Sequence, residues 1–435
     1  MRPRFSAAIA SLAARSAAAL SRWTHRVGVS SRRRLLWQAD PRLATLRHTH
    51  HNTQGSRRLA RTIFKDEHEL FRKTVSAFID REIAPHYERW EKEGQVSREV
   101  WRKAGEAGLL LSDIPPEYGG AGADFLYSAV MIEEMAKRVY AAPGFRLHSD
   151  IVAPYIFNYG TEEQKRTWLP RMAKGEVISA IAMTEPGTGS DLQAIRTTAL
   201  RKGNELVVNG QKVFITNGGM ADLVIVAAKT DTSAGAKGVT LVLVETDRPG
   251  FKRGRNLKKI GQNAQDTAEL FFEDVRVPPS NILGEEGRGF ACLMNQLPRE
   301  RMLVAIGAVA IMEAALQWTI DYTRERKAFG KAIADFQNTR FKLAEVKTEV
   351  TIARVFLNHC LELFLAGELD ATTAAMGKWW LSELDNKVLD TCLQMFGGYG
   401  YMLEYPIARA YADARVHRIY AGTTEIMKEL VARAL

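Results

Sequence analysis

Between residue 66 and about residue 174, apolar side chains recur at helical spacing. Leu70, Phe71, Val75, Phe78, Ile79 and Ile83 follow one another mostly three and four positions apart, after an N-cap that the pattern places at Asp66. Pro115-Pro116 and Gly119-Gly120 break this run. From about Ile178 to Leu283 the period shortens to β-branched segments at 205–208, 212–216, 223–227 and 238–244, and Asn209-Gly210 between the first two reads as a hairpin turn. After about Gly287 long helical patterns return, interrupted at Phe329-Gly330 and at Gly397-Gly398-Tyr399-Gly400. The order helix, sheet, helix predicts an α+β chain, mainly α, and lacks the alternation of a doubly wound fold.

Composition changes the picture at one end only. The chain has 435 residues, 46% hydrophobic and 25% charged, enough for two or three packed units. Its net charge of +10 suggests an anionic partner until it is located: up to Lys65 there are thirteen Arg, one Lys and a single acid, Asp40, so the remainder carries about −3. Residues 1–58 are rich in Arg, Ala and Ser, and 7–20 can form an amphipathic helix, the marks of a mitochondrial transit peptide and a matrix protein. The competing reading is a basic arm for nucleic acid, but no aromatic-studded motif follows it, so no nucleic-acid partner is expected. His48, His50 and His51 lie inside this leader, and no metal is expected. No uninterrupted apolar run reaches the roughly 18 residues of a bilayer span, so stable membrane insertion is not expected. Cys292, Cys360 and Cys392 are widely spaced, with neither redox-pair nor zinc spacing, and read as reduced packing residues.

Candidate chemistry begins at Met183-Thr184-Glu185-Pro186-Gly187-Thr188-Gly189-Ser190-Asp191. Glycines let a backbone approach a ligand, and amides with Thr or Ser hydroxyls donate to ring heteroatoms or phosphate oxygens, so the loop suits a flavin or a phosphate. Alone, such a run is more often a surface turn. No βαβ unit surrounds Gly187 and Gly189, which excludes a Rossmann fingerprint.

Leu297-Pro298-Arg299-Glu300-Arg301 and Ile419-Tyr420-Ala421-Gly422-Thr423-Thr424-Glu425 complete a constellation that resembles the acyl-CoA dehydrogenase family. Arg326-Lys327-Ala328-Phe329-Gly330-Lys331 and Gln394-Met395-Phe396-Gly397-Gly398 fall where that family expects them, and the resemblance runs from about Asp66 to the C-terminus. Ser97-Arg98-Glu99-Val100-Trp101 and Glu404-Tyr405-Pro406-Ile407-Ala408 are similar to its long-chain branch. The resemblance implies an N-terminal helical domain (59–177), a β-barrel-like middle domain (178–286) and a C-terminal four-helix bundle (287–435), assembled as a homotetramer. It implies FAD as cofactor, a long-chain acyl-CoA as substrate and electron-transfer flavoprotein as acceptor.

By position in the motifs, the resemblance implies that Met183, Thr184, Phe214 and Thr216 meet the flavin ring and Ser190 the pyrophosphate. It implies that Arg326, Phe329 and Gln337 reach FAD from a neighbouring subunit, while Gln394, Gly398 and Thr423 close the adenosine side. Arg301 matches an Arg that approaches CoA in relatives, and could equally make a surface ion pair. Pro143 and Leu147 fall where medium-chain relatives place polar side chains at the acyl end, so that an apolar residue and a helix breaker there extend the tunnel.

The base is the sharpest expectation. At 100° per residue, Glu300, Val304 and Ile311 fall within about 20° of Leu293, placing a carboxylate in an apolar stripe with Arg299 and Arg301 pointing away on either side. From the residues alone this is either a core-edge Glu reaching a salt bridge or a base. Most family members carry the base where this chain has Ala421, whereas the long-chain and isovaleryl branches place it on the first helix of the C-terminal bundle, at Glu300. The resemblance implies that the thioester oxygen is held by a flavin hydroxyl and the backbone N–H of Ala421, with Gly422 beside it. Glu425 is the rival base, its place at a helix start being equally explained by the helix dipole. The expected function is α,β-dehydrogenation of long-chain acyl-CoA in mitochondrial β-oxidation. An isovaleryl or branched-chain enzyme and a non-catalytic assembly factor on the same scaffold are the alternatives.

Overall fold

The computed structural model describes residues 63–435; the basic leader and its three histidines lie outside the described residues. Helix α1 (Asp66–Phe78) begins one position earlier than the pattern suggests. Lys65 is the extended N-cap, its amide donating to the His68 ring nitrogen at 2.9 Å, and Asp66 instead sits in the first turn. There its charge faces the positive helix end. Val75, Phe78, Ile79 and Ile83 are buried as the stripe requires, while Leu70 is 66% exposed. Helices α2 (Tyr87–Glu93), α3 (Arg98–Glu106), α4 (Phe125–Ala136), α5 (Ala153–Tyr159) and α6 (Glu162–Ala173) complete the N-terminal layer. Gln164 caps α6 with Thr161 and also donates to the carbonyls of Ser280 and Ile282 at 2.7 and 2.9 Å, tying this layer to the sheet that follows.

That sheet comprises β1 (Ser179–Ala182), β2 (Thr198–Lys202), β3 (Glu205–Thr216), β4 (Leu223–Lys229), β5 (Val239–Glu245), β6 (Phe251–Asn256), β7 (Thr267–Val277) and β8 (Ile282–Leu283). The order is β6-β7-β3-β2-β4-β5-β8, with β1 lying parallel beside β4. Asn209-Gly210 is not a hairpin turn. It lies inside the single strand β3 at a register shift against β7, where the Asn209 amide and the Asp274 backbone N–H and carboxylate bond each other. A Cβ on Gly210 would come within 2.5 Å of the Thr197 hydroxyl, so the glycine answers to a close strand approach. The actual turn is Gly203-Asn204, set by the pairing of Lys202 with Glu205.

Three long helices, α7 (Gly289–Glu325), α8 (Gln337–Ala366) and α9 (Ala371–Phe396), build the C-terminal bundle. The hairpin strands β9 (Lys327–Ala328) and β10 (Lys331–Ala332) join α7 to α8, and the shorter α10 (Pro406–Ala414) and α11 (Thr424–Ala432) close the chain. Every residue of α7 from Glu300 to Met312 is buried, because α4, α8 and α9 all pack on it. By length and composition α7 could cross a bilayer, but 72% of its apolar window is buried inside the protein. Arg354 of α8 reaches Glu313 at 2.8 Å and Glu133 of α4 at 2.9 Å, and Glu133 in turn meets Arg72 at 3.0 Å, an ion-pair chain across both helical layers. The three cysteines are buried free thiols.

Asn217, at the end of β3, joins three segments. Its amide donates to the carbonyls of Gly144 and Ser179 at 3.3 and 3.2 Å and accepts from Gln265 at 3.0 Å, with the backbone held at φ +62°. Asn tolerates that conformation better than most residues. Asn217→Ala leaves buried polar partners unsatisfied, and we expect a loss of about 3 kcal/mol, seen as a lower thermal unfolding midpoint. A midpoint equal to wild type would show that the junction tolerates the loss.

Candidate active site

Burial governs the carboxyl of Glu300. The residue is 6% exposed, and loss of solvation pushes its pKa up to about 7 against the opposing pull of one hydrogen bond and two nearby guanidinium groups, Arg301 and Arg299. The hydrogen bond comes from Tyr155 on α5, whose hydroxyl donates to Oε1 at 2.9 Å. Tyr155 is fully buried, and its own ionisation is pushed far up by burial and by that carboxyl, so it is a permanent donor. Nothing in the run Val152-Ala153-Pro154-Tyr155-Ile156 marks it out in the sequence.

The flanking arginines, which the helical wheel turns away from the stripe, do not reach open solvent, because α7 is packed on by α4, α8 and α9 and is buried throughout from Glu300 to Met312. Arg299 donates to the Asp150 carbonyl at 2.9 Å and to the Asp113 carboxylate at 2.5 Å. Arg301 is 5% exposed, its Nε has no hydrogen-bond partner among the described residues, and burial pulls its pKa down. A buried guanidinium with an unused donor does not fit a surface ion pair and does fit a polar ligand. Glu425, the rival base, is exposed and held below the usual carboxylate range by amide and Thr423 hydrogen bonds at the start of α11. It remains ionised in water, the environment least suited to a strong base.

Ala421 and Gly422 form the turn before α11 in consecutive left-handed conformations, φ +53° and +94°. Thr423 follows as N-cap, accepting from the Ile426 amide at 3.3 Å. On the other side, the ammonium of Lys378, a fully buried residue of α9, donates to the Gly422 carbonyl at 2.5 Å. The Arg301 charge acts on that ammonium, so Glu300, Arg301, Lys378 and the 421–422 turn form one neighbourhood drawn from α7, α9 and the loop before α11. A sequence signal for Lys378 existed: Ala374, Ala375, Leu381 and Ser382, all buried, flank it at helical spacing on one face.

The residues expected around FAD fall into two groups. Thr184 and Phe214 are brought together because the Val213 amide donates to the Thr184 carbonyl at 3.0 Å. Phe214, at φ +61°, leaves its ring 65% exposed beside Thr216, and Met183 is half-buried. Beneath the loop, the fully buried Lys212 donates to the Met183 carbonyl at 2.9 Å and to Glu185 at 2.8 Å, while Glu185 also accepts the Thr197 amide at 2.9 Å. This ion pair, which sequence reasoning missed, frees the exposed tip at Gly187, Gly189 and Ser190. A Cβ on either glycine would meet nothing within 4 Å.

The second group is Arg326, Phe329, Gln337, Gln394 and Gly398. Phe329 is 96% exposed at the tip of the β9–β10 hairpin, and the Arg326 guanidinium lies 5.5 Å over the Tyr399 ring without an ion-pair partner among the described residues. Gln337, Gln394 and Gly398 are exposed, and Gly397 and Gly398 also face open space. Among the described residues no hydrogen bond, ion pair or ring contact joins this group to the first. An open glycine cradle, a bare aromatic ring and an unpaired guanidinium fit a flat ring system bearing phosphates.

Seven and eleven residues beyond Glu300 on the same face of α7, Gly307 and Ile311 line a cavity of about 90 Å³ with Met131, Met135 and Pro143. Pro143 lines this cavity, whereas Leu147 does not and packs against the core instead. Asp413, Arg146 and His417 form its polar side.

Family models for acyl-CoA dehydrogenase match throughout: the N-terminal domain at residues 65–176, the middle domain at 180–275 and the C-terminal domain at 287–435. The chain is 53% identical over 377 residues to a rat protein named long-chain specific acyl-CoA dehydrogenase, mitochondrial, covering 86% of this chain and 88% of that one. It is 35% identical to the mitochondrial isovaleryl-CoA dehydrogenase of potato, covering 86% and 91%. Among solved structures, an acyl-CoA dehydrogenase from Geobacillus kaustophilus superposes with a TM-score of 0.83 at 49% identity, covering 85% of this chain and 98% of that one. Family members are FAD-dependent flavoproteins that oxidise CH–CH bonds. With its three domains in family order and relatives of this identity over most of its length, the chain belongs to the acyl-CoA dehydrogenase family.

Proposed function

We propose that the chain dehydrogenates long-chain acyl-CoA thioesters to trans-2-enoyl-CoA, with Glu300 as the base that takes the α-proton. The observation that carries this reading is the buried Glu300 carboxyl, raised to about 7 and set against Tyr155 and Arg301, where the usual loop base is replaced by Ala421. Burial makes the ionised carboxylate a stronger base than a solvated one, and positioned general bases typically contribute about 10² to 10⁴ in rate. The Ala421 amide supplies an oxyanion donor to the thioester oxygen, and Arg301 with its unused Nε binds the polar CoA part. FAD, when bound, would supply the hydride acceptor for the β-hydrogen. Met183, Thr184, Phe214, Thr216 and Ser190 would hold it from one subunit, Arg326, Phe329 and Gln337 from a neighbour, and Gln394, Gly398 and Thr423 on the adenosine side.

An acyl tail running from Glu300 along α7 reaches Gly307 after about 10 Å, which supports a long chain ending in the cavity there. The exposed Phe329, Tyr401 and Leu403 support a homotetramer whose interface covers them. The basic leader and the mitochondrial relatives support a matrix location with electron-transfer flavoprotein as acceptor. The named branched-chain relative keeps an isovaleryl-type substrate as the second reading, which a panel of acyl-CoA lengths with that acceptor separates.

Glu300→Gln is expected to keep FAD and acyl-CoA binding and to abolish substrate-driven flavin bleaching in anaerobic stopped flow. Bleaching at the wild-type rate would transfer the assignment to Glu425. In wild type the bleaching rate should rise with pH through about 7 as the carboxyl ionises. The same raised pKa means the folded state holds a proton that the unfolded state has lost, so stability falls as pH rises from about 4.5 to 7. Glu300→Gln removes that penalty, on the order of 3 kcal/mol above pH 7, and should unfold at higher temperature than wild type at pH 8 but not at pH 4.5.

Arg326→Ala should lose FAD on dilution, at subunit concentrations where wild type retains it, because a phosphate ligand supplied across a subunit boundary acts only in the oligomer. Flavin content after gel filtration over a dilution series measures this. Retention equal to wild type would count against the cross-subunit assignment.

A further inference from the structure

We propose that Lys378 is a positioning residue that holds the Ala421–Gly422 turn so that the Ala421 amide faces the substrate thioester oxygen. The proposal rests on the dehydrogenase reading above and adds to it the device that orients its oxyanion donor.

Two consecutive left-handed residues, one of them alanine, are costly for an L-amino-acid chain and persist only where the surroundings over-determine them. Gly422 sits at φ +94° with Met427 Cε 2.4 Å from where a Cβ would lie, so glycine suits that position. The Thr423 cap fixes the downstream side of the turn. Upstream, the Arg146 guanidinium donates to the Tyr420 hydroxyl at 3.2 Å, and the His417 ring stacks on the Tyr420 ring. What remains is the peptide between Gly422 and Thr423, and its carbonyl receives the Lys378 ammonium at 2.5 Å.

Lys378 is placed for little else. No ion pair links its ammonium to a carboxylate among the described residues, and the residue is fully buried on the inner face of α9. Burial and the Arg301 charge pull its pKa down to about 8, against the attraction of Asp385, Glu383 and Glu425. A buried cation kept beside another cation, with a backbone carbonyl as its acceptor, is expensive unless that carbonyl has to be held. Releasing it lets residues 421 and 422 relax toward ordinary φ values, which rotates the Ala421 amide away from its direction.

The test uses the full-length FAD-loaded enzyme and a 3-thia-acyl-CoA, whose α-proton can be removed but which cannot be dehydrogenated. The readout is the pH at which its α-carbanion absorbance develops against oxidised flavin. In Lys378→Met we expect this acidity to weaken about 100-fold, a rise of about two pH units, the scale of losing one oxyanion donor. The analogue's dissociation constant at low pH and the FAD content should change little. Lys378→Gln, which keeps an N–H donor, should recover part of the loss. Unchanged acidity in Lys378→Met overturns the proposal. So does failure of both variants to retain FAD, since Lys378 would then serve the fold and not the turn. Glu300→Gln run in parallel separates the two readings: absence of any band in wild type, or a normal band in Glu300→Gln, defeats the base assignment whatever Lys378 does.

Discussion

Desolvation of one carboxyl is the constraint around which the C-terminal half is built. Among the described residues Glu300 has a single hydrogen bond, from Tyr155, and the stretch of α7 from Glu300 to Met312 is fully buried against α4, α8 and α9. A solvated glutamate would be a weaker base and a more stable residue, so the enclosure of α7 raises basicity at the expense of stability. The long ion-pair chain Arg72–Glu133–Arg354–Glu313 links α1, α4, α8 and α7 and gives them a fixed relation that apolar packing alone leaves free to slide.

The two loops around the site use one device twice. Lys212 under the 183–191 loop and Lys378 under the 421–422 turn are both fully buried, and each donates to a backbone carbonyl. They differ in compensation. Lys212 has the carboxylate of Glu185, whereas among the described residues Lys378 has a carbonyl and the more distant field of acidic neighbours. The loop with its own counterion shapes an open cradle, and the turn without one carries two residues in left-handed conformation.

Much of this was legible in the sequence. The change of period marked helix, sheet and helix, and Glu300 stood out because a carboxylate in an apolar stripe is anomalous. What failed did so for tertiary reasons. The helical wheel turned Arg301 away from the buried stripe because it assumes one wet face, and α7 has none between Glu300 and Met312. Asn209-Gly210 has hairpin composition, yet its glycine answers to the approach of Thr197 inside a continuous strand. Tyr155 and Lys212 act through partners distant in sequence, Glu300 and Met183, which no local pattern reveals. Lys378 lay in an apolar stripe much as Glu300 did, and the same anomaly would have found it.

In the proposed reading, a proton acceptor on a helix and an oxyanion donor on a loop divide the work between a side chain and a backbone. A backbone N–H survives any substitution of its own side chain except proline, so position 421 answers only to the left-handed conformation that its turn demands. Its side chain is thereby released from chemistry. On that reading, bulk at position 421 can change the shape of the site without touching the group proposed to break the C–H bond.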